Sequence, residues 1–289
     1  MKWIAFLFSI FITIATVVIV FTHGLNLGID FTGGIIIEAR TEHVYEIGKV
    51  RDLLTDAGYH GANIQNFGSQ SDILIRLQPK QTEDQVKEIT ELKSIISQYF
   101  DNQIEFRRVD YVGPKVGKEL VEKGLIALCL SLIVMMSYIA MRFSWQYGIG
   151  VIVSLFHDAI ATVGFYVVTQ YEFDLYSIAA ILTIVGYSIN DTVVIYDRIR
   201  ENLRKYKAPD MADIINLSVN ETLSRTIMTV STTLLVCLAL VLFGGEVIKG
   251  FSMALLFGIA FGTYSSVYIA APILMHTGFK GGQETLKQA

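Results

Sequence analysis

The chain has 289 residues, of which 52% are hydrophobic and 17% are charged, and its formal net charge is -4. A soluble core of this length cannot bury so much apolar surface, so a lipid bilayer is the expected solvent for much of the chain. The basic residues form no long run, which argues against a nucleic-acid partner. Cys129 and Cys237 lie inside apolar runs, so we expect no disulfide framework, metal site or cofactor.

Six stretches are apolar over the roughly 20 helical residues that are needed to cross a bilayer. The first could be a cleavable secretory signal, but its apolar run Ile4–Phe21 is 18 residues long, and a small-residue cleavage site does not follow it. We therefore expect a retained first helix within residues 1–23. Five more spans are predicted in a second membrane region, residues 121–277, at about 121–141, 147–168, 175–196, 226–243 and 251–274.

Basic residues near the ends of the spans predict the orientation of the chain, because they concentrate on the cytoplasmic side. If the N-terminus is cytoplasmic, the inner segments hold ten Lys and Arg residues, including Arg142, Arg198 and Arg200, whereas the two short outer loops hold only Lys249. We therefore predict that both termini are cytoplasmic, with residues 278–289 as a cytoplasmic tail.

Residues 24–120 form the only sizeable polar region between two spans, and they are predicted to fold outside the membrane, in the periplasm. Their hydrophobic periodicity indicates strand, helix, strand, strand, helix, strand. The predicted strands begin near Gly33, Ala62, Ile73 and Ile104, and the predicted helices are Val44–Ala57 and a segment from Thr82 to about Phe100 that starts with a capping-box signature. This order is typical of the ferredoxin-like fold. The predicted fold class is thus a polytopic membrane protein with six transmembrane helices and one α+β ferredoxin-like domain.

Ionisable residues inside the spans are candidates for function, because each costs about 2.5 to 3.5 kcal/mol to place in a bilayer. Asp191 lies in the fourth span and Arg225 at the start of the fifth. If these helices pack side by side, the carboxylate and the guanidinium can form a proton relay, in which protonation is linked to helix movement. Such a relay would convert a membrane potential into motion without ATP.

Further polar residues in the same spans are possible supporting groups: His157, Asp158, Asn190 and Asp197. A structural interpretation competes with the functional one, since polar groups in membranes often hold helices together at roughly 0.6 to 2 kcal/mol per hydrogen bond. For Asp197, at the end of its helix, an interfacial role that sets the topology is favoured. Gly258, Gly262 and Ser266 form a small-residue face on which another helix can approach closely.

Several motifs resemble those of the SecD/SecF family. The segments Gly28–Gly34 and Val112–Gly117 are similar to the signatures that flank the external domain of its SecF members, and the run Gly186–Asn202 is the most specific match. Asn220–Thr226 is similar to the next motif of the family. The resemblance covers nearly the whole chain, and its length and motifs favour the SecF members over the larger SecD members.

The resemblance implies an accessory subunit of the bacterial Sec translocase, located in the inner membrane. Its implied partners are SecD, the SecYEG translocon, the secretory proteins in transit, and protons. The family's intramembrane acid and arginine correspond to Asp191 and Arg225, the pair that the residues themselves suggest. The external motif with Asp30, Gly33 and Gly34 is compatible with a turn at the membrane exit as well as with a binding site.

Two alternatives of other classes remain at this stage. A proton-driven half-exporter for a lipid or drug would need the same intramembrane carboxylate, and a membrane scaffold would use the polar spans only to hold partners. An enzyme is not expected, because the chain lacks a phosphate-binding loop, a His-Glu-x-x-His zinc pair and a nucleophile elbow.

Overall fold

The computed structural model of the chain describes residues 2–42, 45–67, 69–80, 85–143, 145–206 and 210–277. It divides into two compact units. The membrane unit consists of Met1–Asn26 and Ile126–Ala289, and the polar unit is Leu27–Leu125. The polar unit is therefore an insertion between the first helix and the remainder of the membrane unit.

Along the chain, one long helix is followed by the strands and short helices of the polar unit and then by the remaining long helices. Their bounds are α1 Lys2–His23, α2 Ile29–Thr32, β1 Gly34–Thr41, α3 Ile47–Asp56, β2 Asn63–Phe67, β3 Ser69–Leu77, α4 Gln85–Tyr99, β4 Ile104–Val112, α5 Pro114–Arg142, α6 Trp145–Thr169, α7 Leu175–Lys205, α8 Met211–Phe243, α9 Lys249–Ser265 and α10 Ala271–Ile273. A 3₁₀ turn, Glu246–Ile248, precedes α9, and a π-helical turn, Ser266–Ala270, continues it.

Within the described residues, six helices are long and apolar enough to cross a membrane, as predicted. Three of them extend well beyond their predicted spans: α5 begins at Pro114, α7 continues to Lys205 and α8 begins at Met211. Apolar content marks only the part of a helix that faces lipid, whereas caps set its ends. Asp210 is such a cap, since its carboxylate accepts a hydrogen bond from the Ala212 amide at 3.2 Å.

The polar unit contains a four-stranded antiparallel sheet in the order β2-β3-β1-β4. Alternate residues of β1, namely Ile35, Ile37 and Ala39, are buried in one hydrophobic cluster with α3 and α4 residues such as Leu54 and Leu92. The two helices therefore cover one face of the sheet, which is the usual way for an amphipathic helix and a sheet to share a core.

The strand β3 begins at Ser69, earlier than the predicted start at Ile73, so Ser69 to Ser71 of the predicted turn belong to the strand. The predicted helix start at Val44, the capping box at Thr82 and the tail at 278–289 lie outside the described residues.

Helices α7 and α9 pack along a seam with a four-residue repeat on both sides. Successive contacts join a residue of α7 to one that lies 74 positions later, as in the hydrogen bond between the hydroxyls of Thr192 and Ser266 at 2.8 Å. Because the offset is constant, the two helices run in the same direction. The predicted small-residue face of α9 is confirmed, since a Cβ at Gly262 would lie 3.1 Å from Cβ of Ser188. The pairs along the seam are Ile184 with Gly258, Ser188 with Gly262, Thr192 with Ser266, and Tyr196 with Ala270.

Candidate functional site

Asp191 lies in the middle of α7 and is almost fully buried, with 3% of its surface exposed. Among the residues that the structure describes, its Oδ2 atom has no hydrogen-bond partner. A buried carboxylate oxygen without a partner is unusual, because burial of an unpaired charge is expensive. Asp191 is thus a buried carboxylate with one oxygen that no described residue compensates.

Arg225, the predicted partner of Asp191, lies on α8, which packs against α7. Within the described part of the chain, however, the two side chains form no ion pair at 4.0 Å or less. The Asp191–Arg225 relay pair therefore stays a prediction, and it requires the two side chains to come closer together than they are in this structure. Arg225 is itself exposed on the surface of the single chain, next to exposed Ser224 and Met228.

Asn190 lies on a different face of α7 from Asp191 and is exposed, as is Thr183. Tyr187 forms a polar stripe on α7 with Thr183 and Asn190, since it lies four residues after the first and three before the second. It is half-buried and accepts a hydrogen bond of 3.4 Å from the Thr233 hydroxyl on α8. The stripe therefore begins at the α7–α8 contact and extends onto the outer surface of the chain. A polar surface at membrane depth is expected to face protein or water rather than lipid.

Asp158 on α6 is fully buried and accepts hydrogen bonds from two other helices. Its Oδ2 atom accepts from the Ser188 hydroxyl of α7 at 2.6 Å and from the Ser265 hydroxyl of α9 at 2.8 Å. Sequence reasoning identified Asp158 but missed both serines. Sequence offered only a weak signal for these serines. Small polar residues are common in packed membrane helices, and each serine has another one within four residues, so neither stands out.

His157 is joined to Asp158, because its Nδ1 atom lies 3.2 Å from the Asp158 Oδ1 atom. The imidazole stacks on Phe261 of α9, with the ring centroids 6.2 Å apart. Its Nε2 atom is buried and has no hydrogen-bond partner among the described residues. Adjacent helical residues project about 100° apart, but the side chains of His157 and Asp158 turn towards each other and form one polar group at a junction of three helices.

Asp197 lies one and a half turns beyond Asp191, near the end of α7. It pairs with Arg142 of α5 at 3.2 Å, and both side chains are 44% exposed. An ion pair with this much exposure contributes little to stability. The neighbouring Arg198 is held by Glu221 of α8 and by Glu201, each at 2.6 Å. These charges therefore belong to the end of the bundle and not to the buried site.

Asp30 lies in α2, and Gly33 and Gly34 connect α2 to β1. Gly33 has φ 71° and Gly34 has φ 153°, conformations that residues with a side chain rarely adopt. Gly117 of α5 packs against this turn so closely that a Cβ atom there would lie 3.2 Å from the Asp30 carbonyl oxygen. The geometry of the motif is that of a tight, closely packed turn.

A sequence profile described as "Protein export membrane protein SecD/SecF, C-terminal" matches residues 91–280, and one described as "SecD/SecF GG Motif" matches residues 18–43. The second match contains the turn with Asp30, Gly33 and Gly34. Proteins named "Protein translocase subunit SecF" from Rickettsia bellii and Rickettsia felis are 48% identical to this chain over 94% of its length, and the match covers 90% and 89% of theirs. A third, from Rickettsia prowazekii, is 47% identical.

Two crystal structures of SecDF are similar to this fold. The structure of SecDF from Thermus thermophilus, described as a translocon-associated membrane protein, has a TM-score of 0.81 and 35% identity over 93% of this chain. A SecDF structure in a "Super-membrane-facing form" has a TM-score of 0.64 and 32% identity over the full chain. The match covers 36% and 39% of those longer chains, so this chain spans little more than a third of each.

Proposed function

Because the chain belongs to the SecD/SecF family, and within it matches the SecF translocase subunits, we propose that it works with SecD to use the proton-motive force for protein translocation and release. Family membership makes it a multi-pass inner-membrane subunit of a protein translocase. The proton-driven step is the further proposal, and it depends on one observation. That observation is the buried Asp191 carboxylate with an unpartnered oxygen and Arg225 across a gap.

The chemistry of such a pair fits a proton relay. The interaction energy between a carboxylate and a guanidinium varies inversely with their separation and is strong where water is excluded. The protonation of Asp191 is therefore coupled to how closely α7 and α8 bring it to Arg225. A movement of these helices would bind or release a proton, and a proton arriving on Asp191 would in turn favour the movement.

SecD is the proposed partner, and the surface of the membrane unit supports an interface with it. The exposed stripe on α7 and the exposed Arg225 on α8 are polar groups at membrane depth that lipid would not solvate well. The similarity to SecDF structures, of whose chains the match covers 36% and 39%, supports a second set of helices beside these surfaces. SecYEG and the secretory proteins in transit are the remaining proposed partners.

The polar unit is proposed to be a periplasmic domain with the ferredoxin-like fold. Its element order and the sheet order β2-β3-β1-β4 support this assignment. In the split β-α-β arrangement, the two strands that a helix connects are separated by a third, as β1 and β2 are separated here by β3. Basic residues concentrate at the helix ends on the side of the predicted inner segments, which supports cytoplasmic termini.

The test is a pulse-chase of secreted-protein maturation and release in cells whose only copy carries Asp191→Asn. We expect normal membrane level and normal SecD association, with export slowed to the rate that wild-type cells show in the presence of an uncoupler. Asp197→Asn is a matched control, since it removes the same charge from the same helix at a residue paired with Arg142. Its export should remain at the wild-type rate.

The proposal is contradicted if Asp191→Asn cells export proteins at the wild-type rate and if an uncoupler still slows that export. That outcome would assign the polar spans to a scaffold. A variant that accumulates normally and secretes normally, but makes cells sensitive to a drug or alters lipid export, would instead support the half-exporter. Asp191→Glu keeps the carboxylate, so it should retain measurable uncoupler-sensitive export and separate the chemistry from the packing.

A further inference from the structure

A basic recess of about 650 Å³ lies at the shared end of α5 and α7, away from Asp191. The recess is lined by Arg142, Asp197, Arg200, Glu201, Arg204 and Lys205. Four of these six side chains are cationic and two are anionic, so its formal net charge is +2. This charge attracts an anionic ligand.

The two carboxylates of the recess are already engaged. Asp197 pairs with Arg142 at 3.2 Å, and Glu201 accepts a hydrogen bond of 2.6 Å from Arg198, which lies outside the recess. Among the described residues, Arg200 and Arg204 form no ion pair at 4.0 Å or less. They lie four residues apart on α7, so both guanidinium groups are presented on one side of the helix.

The depth of the recess is indicated by two exposed aromatic residues at the same end of the helices. Trp145, the first residue of α6, is 63% exposed, and Tyr206, directly after α7, is 40% exposed. Exposed Trp and Tyr side chains at helix ends concentrate at the level of the lipid headgroups. The recess therefore lies where headgroup phosphates are found.

The apolar surface beside the recess completes the site. Helix α5 leads to Arg142 with an outward apolar face, on which Ile133, Val134 and Met141 are 58%, 65% and 81% exposed. This face can accommodate acyl chains while the recess holds the phosphate. A basic pocket between membrane helices next to an apolar helix face is the arrangement that recognises anionic lipid headgroups.

We propose that this basic recess is a specific binding site for the headgroup of an anionic phospholipid. Arg200 and Arg204 would bind the phosphate, while Arg142, held by Asp197, would complete the rim. The proposal places the recess in the cytoplasmic leaflet and in that respect rests on the proposed orientation. Lipid binding, in contrast, can be measured without any export assay.

The experiment measures thermal unfolding of the full-length chain, purified in an uncharged detergent, as phosphatidylglycerol is added. We expect phosphatidylglycerol to raise the unfolding midpoint in a saturable manner, whereas phosphatidylcholine should not. Inorganic phosphate at the same concentration distinguishes a free anion from a lipid. If phosphate alone gives the same shift, the site binds free phosphate and the lipid proposal is wrong.

The variant Arg200→Gln/Arg204→Gln should raise the half-saturating lipid concentration by about tenfold or more, since each basic residue near an anionic surface contributes severalfold to binding. Lys118→Gln/Lys123→Gln is the matched control, because it removes the same charge from exposed positions on α5 outside the recess. Its half-saturation should match that of the wild type.

Arg200→Lys/Arg204→Lys keeps both charges and should keep most of the lipid response, which guards against a variant that merely folds poorly. Equal half-saturation of the wild type and the Gln pair would overturn the proposal. If the Lys118→Gln/Lys123→Gln control loses the lipid response as strongly as the Arg200→Gln/Arg204→Gln variant does, the proposal is also overturned, since the effect would then reflect overall charge. A recess that served an acidic segment of a partner protein would give no lipid response in the purified chain.

Discussion

At the scale of single residues, Asp158 connects three helices through one carboxylate. It receives hydroxyl hydrogen bonds from α7 and α9, and its other oxygen lies against the imidazole of His157. A buried carboxylate with several donors holds its neighbours in fixed positions, but removing it leaves those donors unsatisfied.

We therefore predict that Asp158→Ala destabilises the membrane unit by about 1 to 3 kcal/mol for the buried donors left unpaired. Asp158→Asn should be milder, because its amide oxygen can still accept from a serine hydroxyl. The thermal unfolding midpoint of the purified protein in a mild detergent measures both. Ser131→Ala is a suitable control, since the Ser131 hydroxyl bonds only to the Ala127 carbonyl within α5, and an Asp158→Ala midpoint equal to that of Ser131→Ala would refute the prediction.

Asp72 in the polar unit is a carboxylate whose partners are all cationic or hydroxyl groups. Arg40 binds both of its oxygens, at 2.7 and 2.8 Å, and the Ser69 hydroxyl donates a third hydrogen bond at 2.8 Å. The Arg40 hydrogen bonds lower the pKa of Asp72 to about 2, and the charge of Arg107, 3.5 Å away, acts in the same direction. The pKa of this carboxylate in the unfolded chain is about 3.9.

Since the folded-state pKa is the lower one, the stabilisation by Asp72 is fully present above about pH 4 and is lost as the pH falls through about 2. Asp72→Asn should therefore be less stable than the wild type at pH 7, and the difference should shrink between about pH 4 and pH 2. Urea unfolding followed by far-UV circular dichroism at several pH values provides the measurement. A difference that does not change with pH would show that the ion pair contributes nothing.

At the scale of elements, glycine positions decide how closely the membrane helices pack. Gly150 and Gly148 lie two residues apart on α6, yet a Cβ at Gly148 would meet nothing within 4 Å. A Cβ at Gly150 would collide with the Tyr196 hydroxyl and would lie 2.8 Å from the Ala270 carbonyl oxygen. Those two groups form a buried hydrogen bond of 3.0 Å between α7 and the π-helical turn after α9.

Gly150→Ala should consequently destabilise the protein by about 1 to 3 kcal/mol, because a backbone oxygen cannot move aside as a flexible side chain can. Gly148→Ala has room and gains helix propensity, so it should be neutral or slightly stabilising. The pair can be compared by thermal unfolding in the same detergent. If Gly150→Ala is as stable as Gly148→Ala, the close contact among α6, α7 and the π-helical turn is not maintained in solution.

Sequence patterns predicted the helices and strands of this protein better than its contacts. The spans follow from apolar length, and Asp191 and Arg225 follow from the cost of charge in a bilayer. The junction at Asp158 could not be predicted in the same way, since its two serines are 30 and 107 residues away in sequence. A helical period tells which side chains share a face, but it does not tell which helix that face meets.

The ends of the helices were also beyond prediction from hydrophobicity. The fourth span was predicted to end near 196, where the apolar run stops, whereas α7 continues to Lys205. On this extension Arg198 pairs with Glu201 and with Glu221 of α8. The interaction of Arg198 with Glu221 could not be read from sequence, as it depends on how α7 and α8 pack.

At the scale of the whole molecule, the proposed orientation assigns opposite ends of the helices to opposite sides of the membrane. A chain with Cys129→Ala and Cys237→Ala provides a background for labelling. Thr169→Cys, at an exposed residue at the end of α6, should react with a membrane-impermeant maleimide in intact spheroplasts. Tyr206→Cys, at the end of α7, should react only after the membrane is permeabilised. The reverse pattern would invert the topology and place the basic recess in the outer leaflet.

The hydroxyl of Tyr264 donates a hydrogen bond of 2.8 Å to the Ala5 carbonyl, which lies 259 residues earlier in the chain. Ribosomes add about 5 to 20 residues per second, so roughly 10 to 50 s of synthesis separates the two partners. During this interval α1 can already pack on α6, where Gly164 lies against Thr16. Its Ser9 hydroxyl, however, lies 3.1 Å from the Tyr264 hydroxyl and has to wait for that partner. The first helix to enter the membrane therefore makes part of its packing only when the end of the chain is synthesised.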